Sequence, residues 1–266
     1  MKLQGAHVLV TGASRGIGHA MAEQFAKAGA RVSVAARTSE AINGLAKRIK
    51  GTPFTVDLLD ADQVDGLVGR VESAAGPIDV LVNNAGMETT KYFHHEDPTL
   101  IRNVCRLNYE APLMLTRAAV PGMLARGSGH LVYTSSLAGV GSFPTLAAYA
   151  GTKGGLTNFA ASVRLELRDT PVNVTVVAPG PVDTDMWDHI EEAADTTAML
   201  KRLRLLQLIP QVSPDKLARR TVRAVKMNRR HVRTPLRLSS QFWLNEAPRR
   251  INELALAKVP MVPKGG

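Results

Sequence analysis

The sequence predicts a single α/β domain in which a parallel β-sheet is covered by helices on both faces. Apolar strand signals alternate with helix signals along most of the 266 residues, and such alternation favours a doubly wound sheet. The chain opens with a short apolar strand, a glycine-rich turn and a helix, which together form one βα unit of such a sheet. A hydrophobic content of 45% is enough for one core of this size.

The predicted elements follow one another in order along the chain. Strands are predicted at Val8–Thr11, Arg31–Ala36, Phe54–Val56, Val80–Asn83, His130–Thr134, Val172–Ala178 and His231–Thr234. Helices are predicted at Gly16–Ala28, Ser39–Ile49, Asp60–Ala75, Pro98–Leu124 and Ala147–Arg168. In the first helix, Ile17, Met21 and Phe25 recur at four-residue spacing and Gly29 supplies a stop.

Several polar or glycine residues come directly after predicted strands. Gly12 follows the first strand, Asn84 the fourth, Ser136 the fifth and Pro179 the sixth. Ligands of doubly wound sheets bind outside the carboxyl ends of the strands, so these residues are expected to meet in one crevice. The glycine turn at 12–18 would offer backbone N–H groups and a helix dipole to a pyrophosphate.

Tyr149 and Lys153 are the strongest candidates for chemistry. Residues four positions apart share one face of a helix, so the phenol and the ammonium would point into the same space. A phenol has a pKa of about 10, and a neighbouring cation lowers that value by stabilising the anion. The pair is therefore a candidate general acid and base.

These features resemble the short-chain dehydrogenase/reductase family, from about residue 5 to residue 185. The matching motifs are Thr11-Gly-x-x-x-Gly-x-Gly18, Asn83-Asn-Ala-Gly86, Asn108, Ser135-Ser136 with Tyr149-x-x-x-Lys153, and Pro179-Gly180-Pro-Val-Asp-Thr184. The resemblance implies a Rossmann-type fold with seven parallel strands in the order 3-2-1-4-5-6-7. It also implies hydride exchange between a nicotinamide and a carbonyl/alcohol pair.

The resemblance implies a role for each catalytic candidate. Tyr149 would donate or accept the alcohol proton, and Ser136 would hydrogen-bond the substrate oxygen. Lys153 would bind the nicotinamide ribose and help to lower the pKa of Tyr149, while Asn108 would hold a water that links Lys153 to solvent. Ser135 is the competitor of Ser136, but the spacing of thirteen residues to Tyr149 matches Ser136 in the family.

The cofactor is expected to be NADP(H). The second predicted strand ends without the acidic residue that NAD-dependent enzymes use for the ribose hydroxyl. Arg37 can meet a 2′-phosphate instead, with Arg15 approaching from the glycine turn; the alternative is that both are solvated surface arginines. The expected cofactor-binding residues are Gly12, Ser14, Arg15, Gly16, Ile17, Gly18, Arg37, Asp57, Leu58, Asn84, Ala85, Gly86, Tyr149, Lys153, Pro179, Gly180, Val182 and Thr184.

The substrate is expected to be bulky and hydrophobic. Residues 185–212 fall where the family has its variable substrate lid, and they are rich in Met, Leu, Ile and Trp. The alternative is that these side chains pack on the protein or on a partner subunit. The stretch 87–95 is expected to form another pocket wall, and its adjacent His94 and His95 are surface histidines rather than metal ligands.

The charge is unevenly distributed. Residues 201–266 contain 16 Lys and Arg but 3 Asp and Glu, whereas the whole chain has a net charge of +10. A helix is predicted to begin at Ser213-Pro214-Asp215, and the segments 241–244 and 248–258 mix aromatic and basic residues. This basic extension, about 213–266, is interpreted as a solvated surface or as a peripheral contact with an anionic membrane. Nucleic-acid binding has no supporting motif.

The sequence therefore predicts an NADP(H)-dependent oxidoreductase acting on a sterol-like, retinoid-like or lipid-like carbonyl or alcohol. The alternatives are a 3-oxoacyl-thioester reductase and a non-catalytic NADP(H)-sensing protein. One cysteine allows no internal disulfide, so a cytoplasmic location is expected, with or without peripheral membrane contact. The resemblance implies a homo-dimer or homo-tetramer.

Overall fold

A computed structural model describes residues 1–235 and, beyond them, positions 244, 247, 248, 250, 251, 254 and 255. Most of the predicted segments 241–244 and 248–258 therefore lie outside the described residues, as does much of the predicted basic extension.

Within the described residues the chain forms seven strands and nine α-helices. The strands are β1 His7–Thr11, β2 Arg31–Ala36, β3 Thr52–Thr55, β4 Val80–Asn83, β5 Gly129–Thr134, β6 Val172–Pro179 and β7 His231–Thr234. The helices are α1 Gly16–Lys27, α2 Ser39–Ile49, α3 Ala61–Ala75, α4 Pro98–Cys105, α5 Ala111–Ala125, α6 Ala147–Glu166, α7 Asp185–Glu192, α8 Thr197–Leu205 and α9 Pro214–Lys226.

All seven strands form one parallel sheet in the order β3-β2-β1-β4-β5-β6-β7, which confirms the expected fold. Side chains alternate along β1: Val8 and Val10 pack toward one layer, and Leu9 toward the other. One layer contains α1, α2 and α9, and the other contains α3, α5 and α6. The chain order reverses between β1 and β4, so the loops after these two strands lie side by side.

The predicted long helix Pro98–Leu124 is wrong in one respect, because a π-helical turn at Arg106–Glu110 separates α4 from α5. Pro112 lacks an N–H group and therefore gives no hydrogen bond to the carbonyl of Asn108, four residues earlier. The missing bond allows the wider turn, which is a common device at functional sites. The third strand was also misplaced: β3 is Thr52–Thr55 rather than Phe54–Val56.

Two helix starts are fixed by capping side chains. Asp60 caps α3 by accepting hydrogen bonds from the N–H groups of Asp62 and Gln63, so it lies just outside the helix. Ser213 accepts from the N–H of Lys216, which confirms the predicted start of α9. No helix among the described residues is long and apolar enough to cross a bilayer.

Candidate active site

The glycine turn after β1 leaves its backbone open toward the crevice. Gly12 has φ +65°, and a Cβ placed on it would lie 2.7 Å from the Cα of Ala85. Arg15, which precedes α1, makes no side-chain capping hydrogen bond. The first N–H groups of α1 therefore remain available to an anionic ligand such as a pyrophosphate. This fits a dinucleotide.

Hydrogen bonds lock the loops after β1 and β4 together. The Oγ1 atom of Thr11 accepts from the N–H groups of Asn84 and Ala85 at 3.0 and 3.2 Å. The Nδ2 atom of Asn84 donates to the carbonyl of Thr11 at 3.1 Å, and its Oδ1 accepts from Thr134 at 3.2 Å. Asn84 thus joins the ends of β1, β4 and β5, which holds the floor of the crevice in one geometry.

The structure distinguishes the two adjacent serines after β5. The Ser135 hydroxyl faces α6, where it donates to the carbonyl of Lys153 at 3.0 Å and pairs with Thr157 at 2.6 Å. Ser136 also lines the crevice, and its Oγ accepts from the N–H of Ala138 at 3.1 Å. Because neighbouring residues in an extended chain point in opposite directions, the two hydroxyls have different surroundings, and the choice of Ser136 as the catalytic serine stays a prediction.

Tyr149 and Lys153 lie together on the buried face of α6. Tyr149 is 8% exposed and Lys153 is 4% exposed. The Nζ atom of Lys153 is 5.7 Å from the centroid of the Tyr149 ring and donates to the carbonyl of Thr134 at 2.9 Å. Gly86 leaves room for this ammonium, since a Cβ there would lie 3.2 Å from Nζ.

The expectation that Lys153 brings the pKa of Tyr149 below its usual value is wrong for this structure. Burial raises the pKa of Tyr149 to about 12, the hydrogen bond to Ser136 opposes this, and the charge of Glu88 adds to it. Burial also lowers the pKa of Lys153 to about 8. Desolvation is the largest cause at both groups, and the phenol carries its proton at neutral pH.

Asn108 is buried in the π-helical turn and braces the loop after β4. Its Oδ1 accepts from the N–H of Met87 at 2.9 Å, and its Nδ2 donates to the Met87 carbonyl at 2.8 Å and to Thr152 at 3.2 Å. Both amide hydrogens are therefore used within the protein, and only Oδ1 keeps a lone pair for a water. The predicted relay through Asn108 stays a prediction.

One cavity of about 720 Å³ connects the glycine turn to Tyr149. Every residue predicted to bind the cofactor lines it, and so does Ser136; Asn108 lies behind its wall. Arg37 lines the end next to Asp57 and Leu58. Arg15 lines it too, but its guanidinium contacts Asp185 at 2.9 Å, with the two side chains 74% and 66% exposed.

The lid supplies most of the apolar wall at the other end. Seven of its predicted apolar side chains line the cavity: Met186, Trp187, Ile190, Met199, Leu200, Leu203 and Ile209. By contrast, Leu205 is 72% exposed and Leu206 is 48% exposed. The Glu191 carboxylate holds the lid together, because it accepts from the Trp187 indole and from Gln211 at 3.2 Å and pairs with Arg204 at 2.6 Å.

Three further residues shape this end of the site: Phe143 was not predicted, Glu88 was predicted only as part of the wall 87–95, and His189 contacts Glu88 without lining the cavity. Phe143, from the loop before α6, lines the wall. Glu88 also lines it, and its Oε1 contacts the Nδ1 of His189 on α7 at 2.6 Å. Glu88 follows Gly86 by two residues within the predicted pocket wall, which was the available signal; His189 lies 101 positions later and had none.

The chain is similar in sequence to known proteins of one family. The sequence profile of a family described as short chain dehydrogenase matches residues 6–195. A short chain dehydrogenase of Pseudocercospora fijiensis is 34% identical over 219 residues, covering 79% of this chain and 71% of that protein. A 3-oxoacyl-[acyl-carrier-protein] reductase of Thermotoga maritima is 34% identical over 207 residues, covering 75% of this chain and 83% of the relative.

The fold of the relatives agrees as well. A short-chain dehydrogenase from Streptomyces avermitilis superposes with a TM-score of 0.78 at 27% identity. The match covers 96% of this chain and 97% of that structure, so the likeness extends beyond the N-terminal motifs to the whole sheet.

The turn geometry predicts opposite effects for two glycine-to-alanine substitutions. A Cβ on Gly18 would meet the Gly12 carbonyl and lie 2.5 Å from the Asn84 amide, whereas a Cβ on Gly66 in α3 has nothing within 4 Å. We expect Gly18→Ala to destabilise the fold by about 1–3 kcal/mol, and Gly66→Ala to stabilise it by roughly 0.5–1 kcal/mol. Thermal unfolding measures both. An unchanged Tm in Gly18→Ala would contradict the tight packing of the turn.

Proposed function

The chain belongs to the short-chain dehydrogenase/reductase family, and from this premise we propose that it is an NADP(H)-dependent oxidoreductase that interconverts a carbonyl and an alcohol on a hydrophobic substrate. Membership makes it an oxidoreductase that uses a nicotinamide cofactor, NAD(H) or NADP(H). One observation carries the rest: Ser136, Tyr149 and Lys153 converge where the dinucleotide crevice meets the apolar lid.

The proposed chemistry assigns a separate task to each of these residues. A bound nicotinamide would supply or accept the hydride, held by the glycine turn, by Asn84 and by Lys153. The Tyr149 phenol, protonated at neutral pH, donates its proton to the substrate oxygen during carbonyl reduction and takes it back during alcohol oxidation. The Ser136 hydroxyl donates a hydrogen bond to that oxygen, where negative charge develops.

Arg37 supports the preference for NADP(H). It is exposed at the carboxyl end of β2 and lines the cavity. The residues directly before and after it in the sequence are not acidic. Arg15 supports it less directly, because its contact with Asp185 occupies the guanidinium. Exposed ion pairs of this kind contribute about 0–1 kcal/mol, so a 2′-phosphate could replace Asp185 at low cost.

The apolar lid supports a bulky hydrophobic substrate, such as a sterol-like, retinoid-like or lipid-like compound. A second candidate is a 3-oxoacyl-thioester reductase, which is favoured by the printed activity of the Thermotoga maritima relative. A non-catalytic NADP(H)-sensing protein is the third, and it would have no use for a buried phenol beside an ammonium.

The proposed partners and location rest on features outside the active site. A homo-dimer or homo-tetramer is proposed from the family, and a cytoplasmic location from the single cysteine. Peripheral contact with an anionic membrane is proposed from α9, whose Lys216, Arg219, Arg223 and Lys226 are exposed on its outer face.

A substrate panel tests the activity. We expect the protein to oxidise NADPH with at least one of ketosteroids, retinal or long aliphatic ketones, and Tyr149→Phe to lower turnover by about 10²–10⁴-fold while NADPH binding persists. Tyr109→Phe is the control, because Tyr109 is half-buried outside the cavity. Preference for 3-oxoacyl thioesters would favour the second candidate. NADPH binding without turnover of any compound would favour the third, and near-normal turnover in Tyr149→Phe would refute the role of Tyr149.

The raised pKa of Tyr149 predicts different pH profiles in the two directions. Alcohol oxidation needs the deprotonated phenol, so its kcat/KM should rise about tenfold per pH unit while the pH is well below the pKa of about 12. Carbonyl reduction uses the protonated phenol and should stay level. The clean window is about pH 6 to 8, below the pKa of about 8 for Lys153. Initial rates at saturating cofactor measure both; a level oxidation profile would contradict the assignment.

Arg37→Asp should reverse the cofactor preference. Loss of a charge-assisted contact with the 2′-phosphate is expected to lower kcat/KM for NADPH by about tenfold to a hundredfold, while the new carboxylate improves use of NADH. Arg70→Asp is the matched control, because Arg70 is exposed on α3 away from the cavity. Initial rates with NADPH and with NADH measure the cofactor preference of each variant. A wild-type preference for NADH would overturn the proposed cofactor.

A further inference from the structure

A carboxylate, Glu88, lines the largely apolar lid end of the cavity. Glu88 lies in the loop after β4, and its side chain is 13% exposed. It shares the cavity wall with Tyr149 and the lid residues Met186 and Trp187. Its negative charge also acts on the phenol, because it is one cause of the raised pKa of Tyr149, after burial. Glu88 is therefore close to the reacting group.

Only half of this carboxylate is satisfied by the protein. Oε1 pairs with the Nδ1 of His189 at 2.6 Å. Oε2 has no hydrogen-bond partner among the residues that the structure describes. Two of the three cations of the cavity wall are engaged elsewhere, since Lys153 donates to the Thr134 carbonyl and Arg15 pairs with Asp185. The third, Arg37, lines the cavity at the carboxyl end of β2. A ligand in the cavity with an O–H or N–H group would supply the donor that Oε2 lacks within the protein.

The His189 contact ties Glu88 to the lid. His189 is on α7 and its side chain is 61% exposed, and its Nδ1 holds one oxygen of the carboxylate. Glu88 itself lines the cavity together with residues of the lid. A charged acceptor held in one orientation within an apolar cavity discriminates strongly between a ligand that offers a donor and one that lacks it.

We propose that Glu88 is a specificity-determining residue that accepts a hydrogen bond from a hydroxyl or amino group of the substrate. The proposal rests on the proposed function and narrows its substrate class to hydrophobic carbonyl or alcohol compounds that carry a second hydrogen-bond donor. A substrate with a carboxylate at that position would be repelled by Glu88. The active-site oxygen would meet Tyr149 and Ser136, while the second group meets Glu88.

Matched ketones test the proposal directly. A series of decalones carrying either a hydroxyl or a methyl group at successive ring positions keeps the apolar body constant. For at least one position, we expect the wild type to prefer the hydroxyl compound at least tenfold in kcat/KM, which corresponds to about 1.4 kcal/mol. Glu88→Leu should abolish this preference by lowering kcat/KM more for the hydroxyl ketone than for the methyl ketone, and Glu88→Gln, whose amide oxygen is a neutral acceptor, should retain part of it.

Glu192→Gln is the matched control, because Glu192 is an exposed carboxylate on α7, the helix that carries His189, and does not line the cavity. It should keep the wild-type preference. If Glu88→Leu lowered kcat/KM equally for hydroxyl and methyl ketones, the effect would be general and the proposal would be overturned. Absence of any preference in the wild type would overturn it as well.

A binding measurement separates this proposal from the proposed function. Trp187 lines the cavity, so binding of the same decalones in the presence of NADPH can be followed by tryptophan fluorescence. Preferential binding of hydroxyl compounds that depends on Glu88, without turnover, would support the specificity role and reject the proposed activity. Turnover of both compound types with equal binding in wild type and Glu88→Leu would support the proposed activity and reject the specificity role of Glu88.

Discussion

Burial of a phenol and an amine side by side on α6 is the constraint on which the rest of the site depends. Tyr149 and Lys153 are almost completely removed from water, which pushes their pKa values in opposite directions, to about 12 and about 8. Both shifts disfavour the charged forms. The surrounding groups reduce this cost: the Thr134 carbonyl accepts from the ammonium, Gly86 gives the ammonium room, and Ser136 opposes the rise in the pKa of Tyr149.

Sheet topology explains why these groups can meet although they come from distant parts of the chain. The ends of β1, β4 and β5 are neighbours because the strand order reverses beside β1. Asn84 bridges all three ends, and Asn108 ties Met87 in the next loop to the π-helical turn. Hydrogen bonds that asparagine side chains make with the loops therefore arrange the crevice. Some residues of the family motifs face the cavity, and others hold its walls.

The sequence predicted the sheet and the cofactor crevice because both depend on local signals. Apolar runs mark the strands, and Gly12 and Gly18 mark a turn that tolerates no Cβ. It could not predict the sign of the pKa shift at Tyr149, because that depends on how much water the tertiary fold removes. Nor could it predict that Arg15 contacts Asp185 or that Glu88 contacts His189, since each pair joins residues more than 100 positions apart. The break in the long helix had a visible cause in Pro112, but proline near a helix start is also common in unbroken helices.

Polar contacts and buried apolar side chains together hold the lid in place. Two ion pairs and one hydrogen-bonded pair hold α7 and its neighbours, namely Arg15 with Asp185, Glu191 with Arg204, and Glu88 with His189. Each has at least one partner that is more than half exposed, and such pairs contribute about 0–1 kcal/mol. Burial of Ile190 and Leu200 contributes more to holding the lid in place. The lid is therefore held mainly by hydrophobic contacts, and the weaker polar contacts fix its position against the neighbouring loops.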